Sequence, residues 1–350
     1  MRRRGLRRWQ TPGAAARMAP VFLAGDVGGT KTHLALYRPG DSPRSPVIER
    51  KLPSADHASL ETLIREFLTS TRERPTRVVL GIAGPVVGNR AATTNLPWAV
   101  DGAALGRELG GAEVVLLNDL TATARGLGML APGELEVLQP GVPARGNRGL
   151  VAAGTGLGEA LLVPDGDDWT PSPSEGGHAD FGPRDCVEDE LCAWLRERYG
   201  HVSWERVLSG PGLADLYRFL SATGRGAEPA AFARTLSAAP DLAAAIAEEA
   251  LAGGCERARL ALERFASLYG AEAGNVALKF LAVGGVFVGG GIAPRILPFL
   301  RAGGFRDAFR DKGRLAPVLE KIPVSVILDD RAALWGAAVV ALGRAPVSRP

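Results

Sequence analysis

One unit occurs twice in this 350-residue chain: an apolar run, a glycine-rich turn and a second apolar run. The first copy is VFLAGDVGGTKTHLALY, from Val21 to Tyr37, and the second is LVAAGTGLGEALLV, from Leu150 to Val163. Each copy predicts a β-hairpin. Because a repeated supersecondary unit is the sequence signature of a duplicated architecture, we predict an α/β fold duplicated within one chain, with a cleft between the two halves.

The rest of the sequence alternates strand and helix patterns. Polar residues directly follow a predicted strand over Val114–Leu117, at the edge where α/β sheets carry ligand-binding groups. The segment between Pro183 and Ala277 has apolar residues at helical spacing, which predicts scaffold helices. The other predicted elements are a helix over Ser59–Thr71, strands in RVVLGIAGPV and KIPVSVILDD, a helix beginning at Pro294 and a final helix from Ala332 to about Leu342.

Composition excludes several classes of protein. The hydrophobic share of 46% and the charged share of 23% are ordinary for a globular chain. No apolar stretch has the length and purity of a membrane span. The three cysteines, Cys186, Cys192 and Cys255, form no CxxC pair and have no histidine at zinc-finger spacing. Neither a disulfide framework nor a structural metal site is therefore predicted, and a reducing cytoplasm is the simplest location.

The basic charge lies in the N-terminal segment. The formal net charge of +3 reflects 41 basic and 38 acidic residues, but six arginines precede Met18, and 35 basic residues remain without them. Residues 1–18 lack the apolar stretch of a secretory signal, so they are a disordered arm, a transit-like segment or the product of an early start codon, of which we favour the last. With no basic patch elsewhere, we expect neither nucleic acid nor a membrane as partner.

The two glycine turns do not fit the common nucleotide motifs. In GDVGGTKT, Thr30 precedes Lys31 and a strand follows, whereas a P-loop needs glycine before the lysine and a helix after it. In GTGLGE, Glu159 stands where a dinucleotide fingerprint needs its third glycine. The turns are either purely structural or anion nests made of successive backbone amides, and two related turns favour phosphate binding across the cleft. Asp26, beside the first turn, can hold a hydrated cation.

Several polar residues have spacings that suit a polyhydroxylated ligand. Asn118 and Asp119 end a predicted strand and can bind adjacent hydroxyls, although both types also favour helix N-caps. Glu175 and His178 flank two glycines in SEGGHADF, so that backbone and side chains can approach one ligand. Glu205 lies on a predicted helix in HVSWERVLSGPG, where a solvated surface charge is the ordinary interpretation.

Taken together, these strings resemble the bacterial glucokinases of the hexokinase group, within the superfamily of actin, sugar kinases and heat-shock chaperones. GDVGGTKT, GIAGPV, TTNLPW, LNDLTA, AAGTGLGEA, SEGGHADFGP, HVSWERVLSGPGL, GGVFVGGGIAPR and FRDAFRDKGR occur in the family's order, over residue 20 to about residue 343. The resemblance implies a duplicated ribonuclease H-like (actin-like ATPase) fold, with two lobes around a catalytic cleft. The N-terminal arm has no counterpart in the family, and Glu159 replaces a residue that is often small and apolar there.

The resemblance also assigns roles to positions of this sequence. It implies that Asp119 is the catalytic base, that Asp26 supports Mg²⁺ through water and that Asn95 is a small-domain contact. Sugar binding falls on Asn118, Asp119, Glu175, His178 and Glu205. The residues implied to bind phosphate are Gly25, Asp26, Val27, Gly28, Gly29 and Thr30 in the first turn and Gly154, Thr155, Gly156 and Gly158 in the second. The residues implied to bind the adenosine of ATP are Gly289, Gly290 and Gly291.

The activity that the resemblance implies is transfer of the γ-phosphoryl group of ATP to the 6-hydroxyl of D-glucose with Mg²⁺, in a cytoplasmic homodimer. We expect a small lobe over residues 19–129 and 328–345 and a large lobe over residues 130–327, after an N-terminal arm over residues 1–18. A kinase for another hexose and a non-catalytic sugar-sensing relative are the alternatives. An actin-like or chaperone ATPase is disfavoured, because it would need no SEGGH and WER segments.

Overall fold

The computed structural model describes residues 19–93 and 96–343. The expectations for residues 1–18, for Asn95 and for residues 344–345 therefore lie outside the described residues. In the described part, no helix is both long enough and apolar enough to cross a membrane.

The first half of the chain builds a five-stranded sheet. Its order is β3-β2-β1-β4-β8, with β2 antiparallel to both neighbours and β1, β4 and β8 parallel, and a separate three-stranded sheet has the order β5-β6-β7. The elements are β1 (Phe22–Val27), β2 (Lys31–Tyr37), β3 (Ile48–Pro53), α1 (Leu60–Thr71), β4 (Arg77–Ile82), β5 (Val86–Val87), β6 (Arg90–Ala92), β7 (Ala99–Asp101), α2 (Gly102–Glu108), β8 (Glu113–Asn118) and α3 (Asp119–Gly126).

The second half repeats this topology. Its sheet has the order β12-β11-β10-β13-β14-β9, in which the first five strands reproduce the pairing directions of the first sheet and β9 adds an antiparallel edge. The strands are β9 (Leu135–Gln139), β10 (Arg148–Ala153), β11 (Leu157–Asp165), β12 (Asp168–Ser174), β13 (Val286–Gly289) and β14 (Val324–Ile327). The duplication predicted from the two hairpins is confirmed.

Helices fill the connections of the second half. They are α4 (Cys186–Tyr199), α5 (Trp204–Val207), α6 (Gly210–Ala222), α7 (Ala230–Ser237), α8 (Leu242–Ala252), α9 (Glu256–Phe280), α10 (Leu297–Arg301), α11 (Gly304–Arg310), α12 (Ala316–Leu319) and α13 (Ala332–Ala341). The 25-residue α9 is the centre of the larger core and packs on β10, α6, α8 and α11. Helical periodicity therefore predicted this region well.

Local sequence explains where several helices begin and end. Ser59 caps α1 in a reciprocal capping box with Thr62, which satisfies amides that the first helical turn leaves unpaired. Gly253, at a φ of 73°, ends α8 before α9 begins. The predicted helix start at Pro294 is wrong: residues 290–296 form turns, and α10 begins at Leu297. The turn persists because Gly290 adopts a φ of 81° and Ile292 N–H donates to the Ala153 carbonyl at 3.4 Å.

The last helix, α13, returns to the first sheet. Its residues Leu334, Ala337, Ala338 and Ala341 pack with side chains of β1, β2 and β4 in one apolar cluster. Helices α13 and α3 cross closely: a Cβ added at Gly336 would lie 1.8 Å from the Ala122 carbonyl oxygen. A second cluster joins α3 to the second sheet. Helices α3 and α13 therefore pack together at the junction of the two halves.

Candidate active site

Both glycine turns follow the first strand of their sheets. The turn at Gly28–Thr30 leaves the carboxyl end of β1, and the turn at Gly154–Gly156 leaves the carboxyl end of β10. Because parallel strands of α/β sheets deliver ligand-binding groups at their carboxyl ends, the fold positions both turns for binding. Among the polar residues predicted from the sequence, Asn118 ends β8 and Asp119 follows it. Glu175 and His178 follow β12, and Glu205 lies on α5.

Ser54 stabilises the first turn through hydrogen bonds to its backbone. It is a fully buried residue that was not predicted from the sequence. The Ser54 hydroxyl donates to the Gly28 carbonyl at 2.7 Å, and the Ser54 amide donates to the Thr30 carbonyl at 3.0 Å. The Gly28 amide donates to Lys31 within the hairpin. Within residues 19–93 and 96–343, the Gly29 and Thr30 amides donate to no protein acceptor. Two of the three predicted amides are thus available to an anion.

Two other predicted residues of this motif, Gly25 and Val27, pack within the first sheet. The backbone of Gly25 passes so close to Leu34 and Leu80 that an added Cβ would lie 2.6 and 2.7 Å from their methyl carbons. Val27 is buried in the core of the first sheet. Their side of β1 therefore packs against protein, and a role for Gly25 and Val27 in phosphate binding stays a prediction.

The second turn is tied to Glu205 on α5. The Leu157 amide donates to Glu205 Oε2 at 2.9 Å, and the carboxylate lies against Gly156. The Gly154 carbonyl accepts from the Gly210 amide at 2.8 Å, and the exposed Thr155 lies at the tip of the turn. The carboxylate that sequence alone would leave on the surface is therefore a brace for the turn.

Glu175 and His178 lie beside Glu205. His178 Nε2 is 4.0 Å from Glu175 Oε2 and 4.0 Å from Glu205 Oε2. The His178 side chain is 60% exposed and that of Glu175 72% exposed, so both can be reached by a ligand. The negative charge of Glu175 also acts on Asp119, so the predicted base lies within electrostatic range of Glu175.

Asn118 and Asp119 stand at the start of α3. Asn118 is its N-cap, since Oδ1 accepts from the Leu120 and Thr121 amides at 3.0 and 3.3 Å, while Nδ2 donates to the Gly84 carbonyl at 3.2 Å. Asp119 Oδ1 accepts from the Leu120 amide at 2.9 Å. Burial raises the pKa of Asp119 to about 6, against the lowering effect of these hydrogen bonds. The cap fixes the position of the carboxylate that follows it.

Asp26 completes a group of carboxylates. Burial raises its pKa to about 7, and the charges of Asp119 and Asp330 add to the effect, while Lys51 opposes it. Lys51 Nζ is 2.6 Å from Asp330 Oδ2. Asp330 follows β14 and was not singled out from the sequence, because only the fold brings it near Asp26. In the part of the chain that the structure describes, no three metal-ligating side chains form a cation cage.

The glycine cluster at the end of β13 lies against Ala153, the last residue of β10 before the second turn. Gly290 approaches the backbone so closely that an added Cβ would lie 2.1 Å from the Ala153 carbonyl oxygen. Tyr269 of α9 lies beneath this contact: its hydroxyl donates to the Gly289 carbonyl at 2.7 Å and accepts from the Ala153 amide at 2.9 Å. Gly291 has open space around it. Sequence reasoning missed Tyr269, whose only signal was a tyrosine within an alanine-rich helix.

The two halves share one topology, and each has a glycine turn after its first strand. Acidic side chains lie where the halves meet. These features define the sugar-kinase class of the actin-like ATPase fold. The glucokinase family model matches residues 23–344, and the chain belongs to this family. A glucokinase of Nostoc punctiforme is 39% identical over 336 residues, covering 92% of this chain and 98% of the relative.

Solved structures agree with this assignment. The crystal structure of a glucokinase from an Antarctic psychrotroph has a TM-score of 0.78 and 30% identity, covering 93% of this chain and 100% of that one. A glucokinase from Balamuthia mandrillaris in complex with glucose has a TM-score of 0.77 at 21% identity, covering 93% and 95%, and supports the fold alone.

Proposed function

We propose that this protein is an ATP-dependent glucokinase that transfers the γ-phosphoryl group of ATP to the 6-hydroxyl of D-glucose. The observation that carries the proposal is the convergence of Asp119, Glu175, His178 and Glu205 beside the second glycine turn. Polar side chains of these types can accept and donate hydrogen bonds to several hydroxyls at once.

Asp119 is the proposed general base. A hydroxyl is a poor nucleophile at neutral pH, so a nearby carboxylate must take its proton as transfer proceeds, an effect worth about 10²–10⁴-fold. With a pKa of about 6, Asp119 is mostly ionised near neutral pH yet more basic than an ordinary aspartate. Its attachment to the first turn of α3 keeps it in one place. Positioning contributes more, because the loose transition state of phosphoryl transfer needs alignment of donor and acceptor.

The glycine turns are the proposed phosphate sites. The amides of Gly29 and Thr30 on one side and those of Thr155 and Gly156 on the other can donate to phosphate oxygens, whereas the Gly154 amide already donates to the Gly156 carbonyl at 2.8 Å. The cluster Gly289–Gly291 would bind the adenosine of ATP, since Gly290 contacts Ala153 directly before the second turn. We propose ATP, rather than ADP or polyphosphate, as the phosphoryl donor.

The carboxylate of Asp26 fits a Mg²⁺ ion held through water. The neighbouring charges of Asp119 and Asp330 leave this position with excess negative charge that Lys51 offsets only in part. Mg²⁺ usually keeps several waters and binds through one or two carboxylates together with phosphates, which agrees with the lack of a full protein cage in the described residues. Bound there, the ion would supply neutralisation of charge on the phosphate oxygens.

The lobe boundaries, the homodimer and the cytoplasmic location also remain proposals. We place the small lobe over residues 19–129 and 328–345 and the large lobe over residues 130–327. The return of α13 to the first sheet supports assigning the C-terminal segment to the small lobe. Closure of the lobes over bound sugar would exclude water as a competing acceptor.

A coupled assay of kcat/KM for glucose, mannose and fructose, each with ATP, ADP and polyphosphate, tests the activity. Glucose with ATP should be preferred. Asp119→Asn should lose about 10²-fold or more in kcat and keep glucose binding within about tenfold, because the amide keeps the shape but takes no proton. Asp101→Asn is the matched control, since Asp101 caps α2 away from the site. No transfer to any hexose, or loss of binding in parallel with turnover, would overturn the assignment.

A further inference from the structure

Glu159 of β11 is a buried carboxyl that the proposed reaction does not use. The residue is 1% exposed, and neither of its carboxyl oxygens has a hydrogen-bond donor among the residues that the structure describes. Burial of an ionised carboxylate without a partner is very unfavourable, so such a group becomes neutral or finds a specific neighbour.

The neighbour of Glu159 is a second buried acid. Glu272 of α9 is 0% exposed and accepts from Lys279 Nζ at 3.1 Å and from Asn275 Nδ2 at 2.7 Å. Burial, followed by the charge of Glu272, raises the pKa of Glu159, so Glu272 lies within electrostatic range of this carboxyl. Since the cation and the amide both serve Glu272, Glu159 is the member of this buried pair that stays neutral.

The same carboxyl lies under the turn that carries Glu175 and His178. A Cβ added at Gly176 would lie 2.1 Å from Glu159 Oε2, and one added at Gly177 would lie 2.2 Å from the Leu157 carbonyl oxygen. The turn therefore rests on β11 at two points, one of them the Glu159 carboxyl. Because interiors are close-packed, a shift of this carboxyl must move the turn above it.

We propose that Glu159 is a positioning residue of the sugar site: its buried carboxyl packs against Gly176 and fixes the placement of Glu175 and His178 on either side of the two glycines. The inference rests on the proposed function, since it assumes that these two residues bind the sugar. It assigns a role to the residue that departs from the family pattern after the second glycine turn.

The support should fail at alkaline pH. Glu272 and Lys279 face Glu159 from α9, Lys312 approaches the same cluster through Asn275, and Glu175 and His178 flank the turn. Lys279 favours the charged form of Glu159, whereas burial and Glu272 oppose it. As the pH rises, ionisation of Glu159 would add repulsion between two buried carboxylates and displace the turn that packs on it.

Three variants test this role. Glu159→Ala removes the carboxyl, and Glu159→Gln keeps its shape and can donate to Glu272 at any pH. The control, Glu136→Gln, changes a carboxylate on the far edge strand β9. Glucose KM, ATP KM, kcat and the calorimetric glucose Kd are measured at about pH 7 and about pH 9. Glu159→Ala should raise the KM and Kd of glucose about tenfold with ATP KM within about twofold. Wild type and Glu136→Gln should bind glucose more weakly at the higher pH, and Glu159→Gln should not.

Unchanged glucose binding in Glu159→Ala, or an alkaline loss in Glu159→Gln equal to that of wild type, would overturn the positioning role. If Glu159→Ala fails to fold, the comparison of Glu159→Gln with wild type across pH still decides. Failure of the proposed function is a different result: wild type would then transfer phosphate to no hexose at either pH.

Discussion

Replacing Tyr269 by phenylalanine removes one oxygen atom from the interior of the second sheet. The ladder between β10 and β13 ends at the pair Ala152 and Gly289, and the Tyr269 hydroxyl continues it by accepting from the Ala153 amide and donating to the Gly289 carbonyl. The tyrosine is fully buried, so water cannot readily replace the hydroxyl. The variant would leave one donor and one acceptor unpaired where the second turn and the glycine cluster begin.

The loss in the free energy of unfolding follows from the two unpaired groups, the Ala153 amide and the Gly289 carbonyl. A buried polar group left without a partner costs about 1–3 kcal/mol, so we expect a loss of about 2–4 kcal/mol after some relaxation. At about 2–4 °C per kcal/mol for a unit of about 200 residues, the thermal midpoint should fall by roughly 5–15 °C. Because both strand ends carry proposed nucleotide-binding segments, ATP KM should rise about three- to tenfold with little change in glucose KM.

Calorimetry and steady-state kinetics check both expectations, with Tyr217→Phe as the matched control. Tyr217 is also buried in the larger core, but its hydroxyl bonds to Glu228 and contacts Cys255, away from the glycine turns. The control should lose stability and keep its ATP KM. The reasoning is refuted if Tyr269→Phe changes neither the midpoint nor ATP KM, or if both variants raise ATP KM equally.

Two further predictions concern Asp119 and the sugar contacts. Asp119 must be ionised to accept a proton, and its pKa is raised to about 6, so kcat/KM should fall as the pH drops through about 6; a pH–rate profile flat down to about 4 would contradict this. If Glu175 and His178 bind hydroxyls directly, wild type should disfavour 2-deoxyglucose by about 1–3 kcal/mol, because a polar group is left unpaired. Glu175→Ala or His178→Ala should shrink that ratio with ATP KM little changed, whereas equal losses for both sugars, or rescue by added divalent metal, would exclude hydroxyl contact.

The duplicated topology could be predicted from the sequence because its signals are local. Each hairpin depends on a glycine turn between two apolar runs, and the hairpins observed, from Phe22 to Tyr37 and from Arg148 to Asp165, agree with the predicted units to within about two residues at each end. The helix start at Pro294 failed for a non-local reason: the Ala153 carbonyl on β10 holds the preceding turn. A proline compatible with a first helical turn does not reveal such a contact.

In the candidate site, too, local signals were found from the sequence and contacts between distant segments were not. Motif spacing selected Glu175 and His178, which the structure finds together with Glu205. The residues that hold the motifs in place, such as Ser54 under the first turn and Tyr269 under the second, were not found from the sequence. Their partners lie far away in the chain, and hydrogen bonds between distant segments leave no periodic pattern.

The packing of α13 on the first sheet sets the order in which the molecule can be completed during synthesis. Ala24 and Tyr37 share their apolar cluster with Leu334 and Ala338, about 300 residues further along the chain. At about 5–20 residues per second, a ribosome needs roughly 15–60 s to connect these segments. One face of the first sheet therefore remains open to solvent, and to any chaperone that binds apolar surface, until translation is nearly over. The first sheet to be synthesised is the last to be closed.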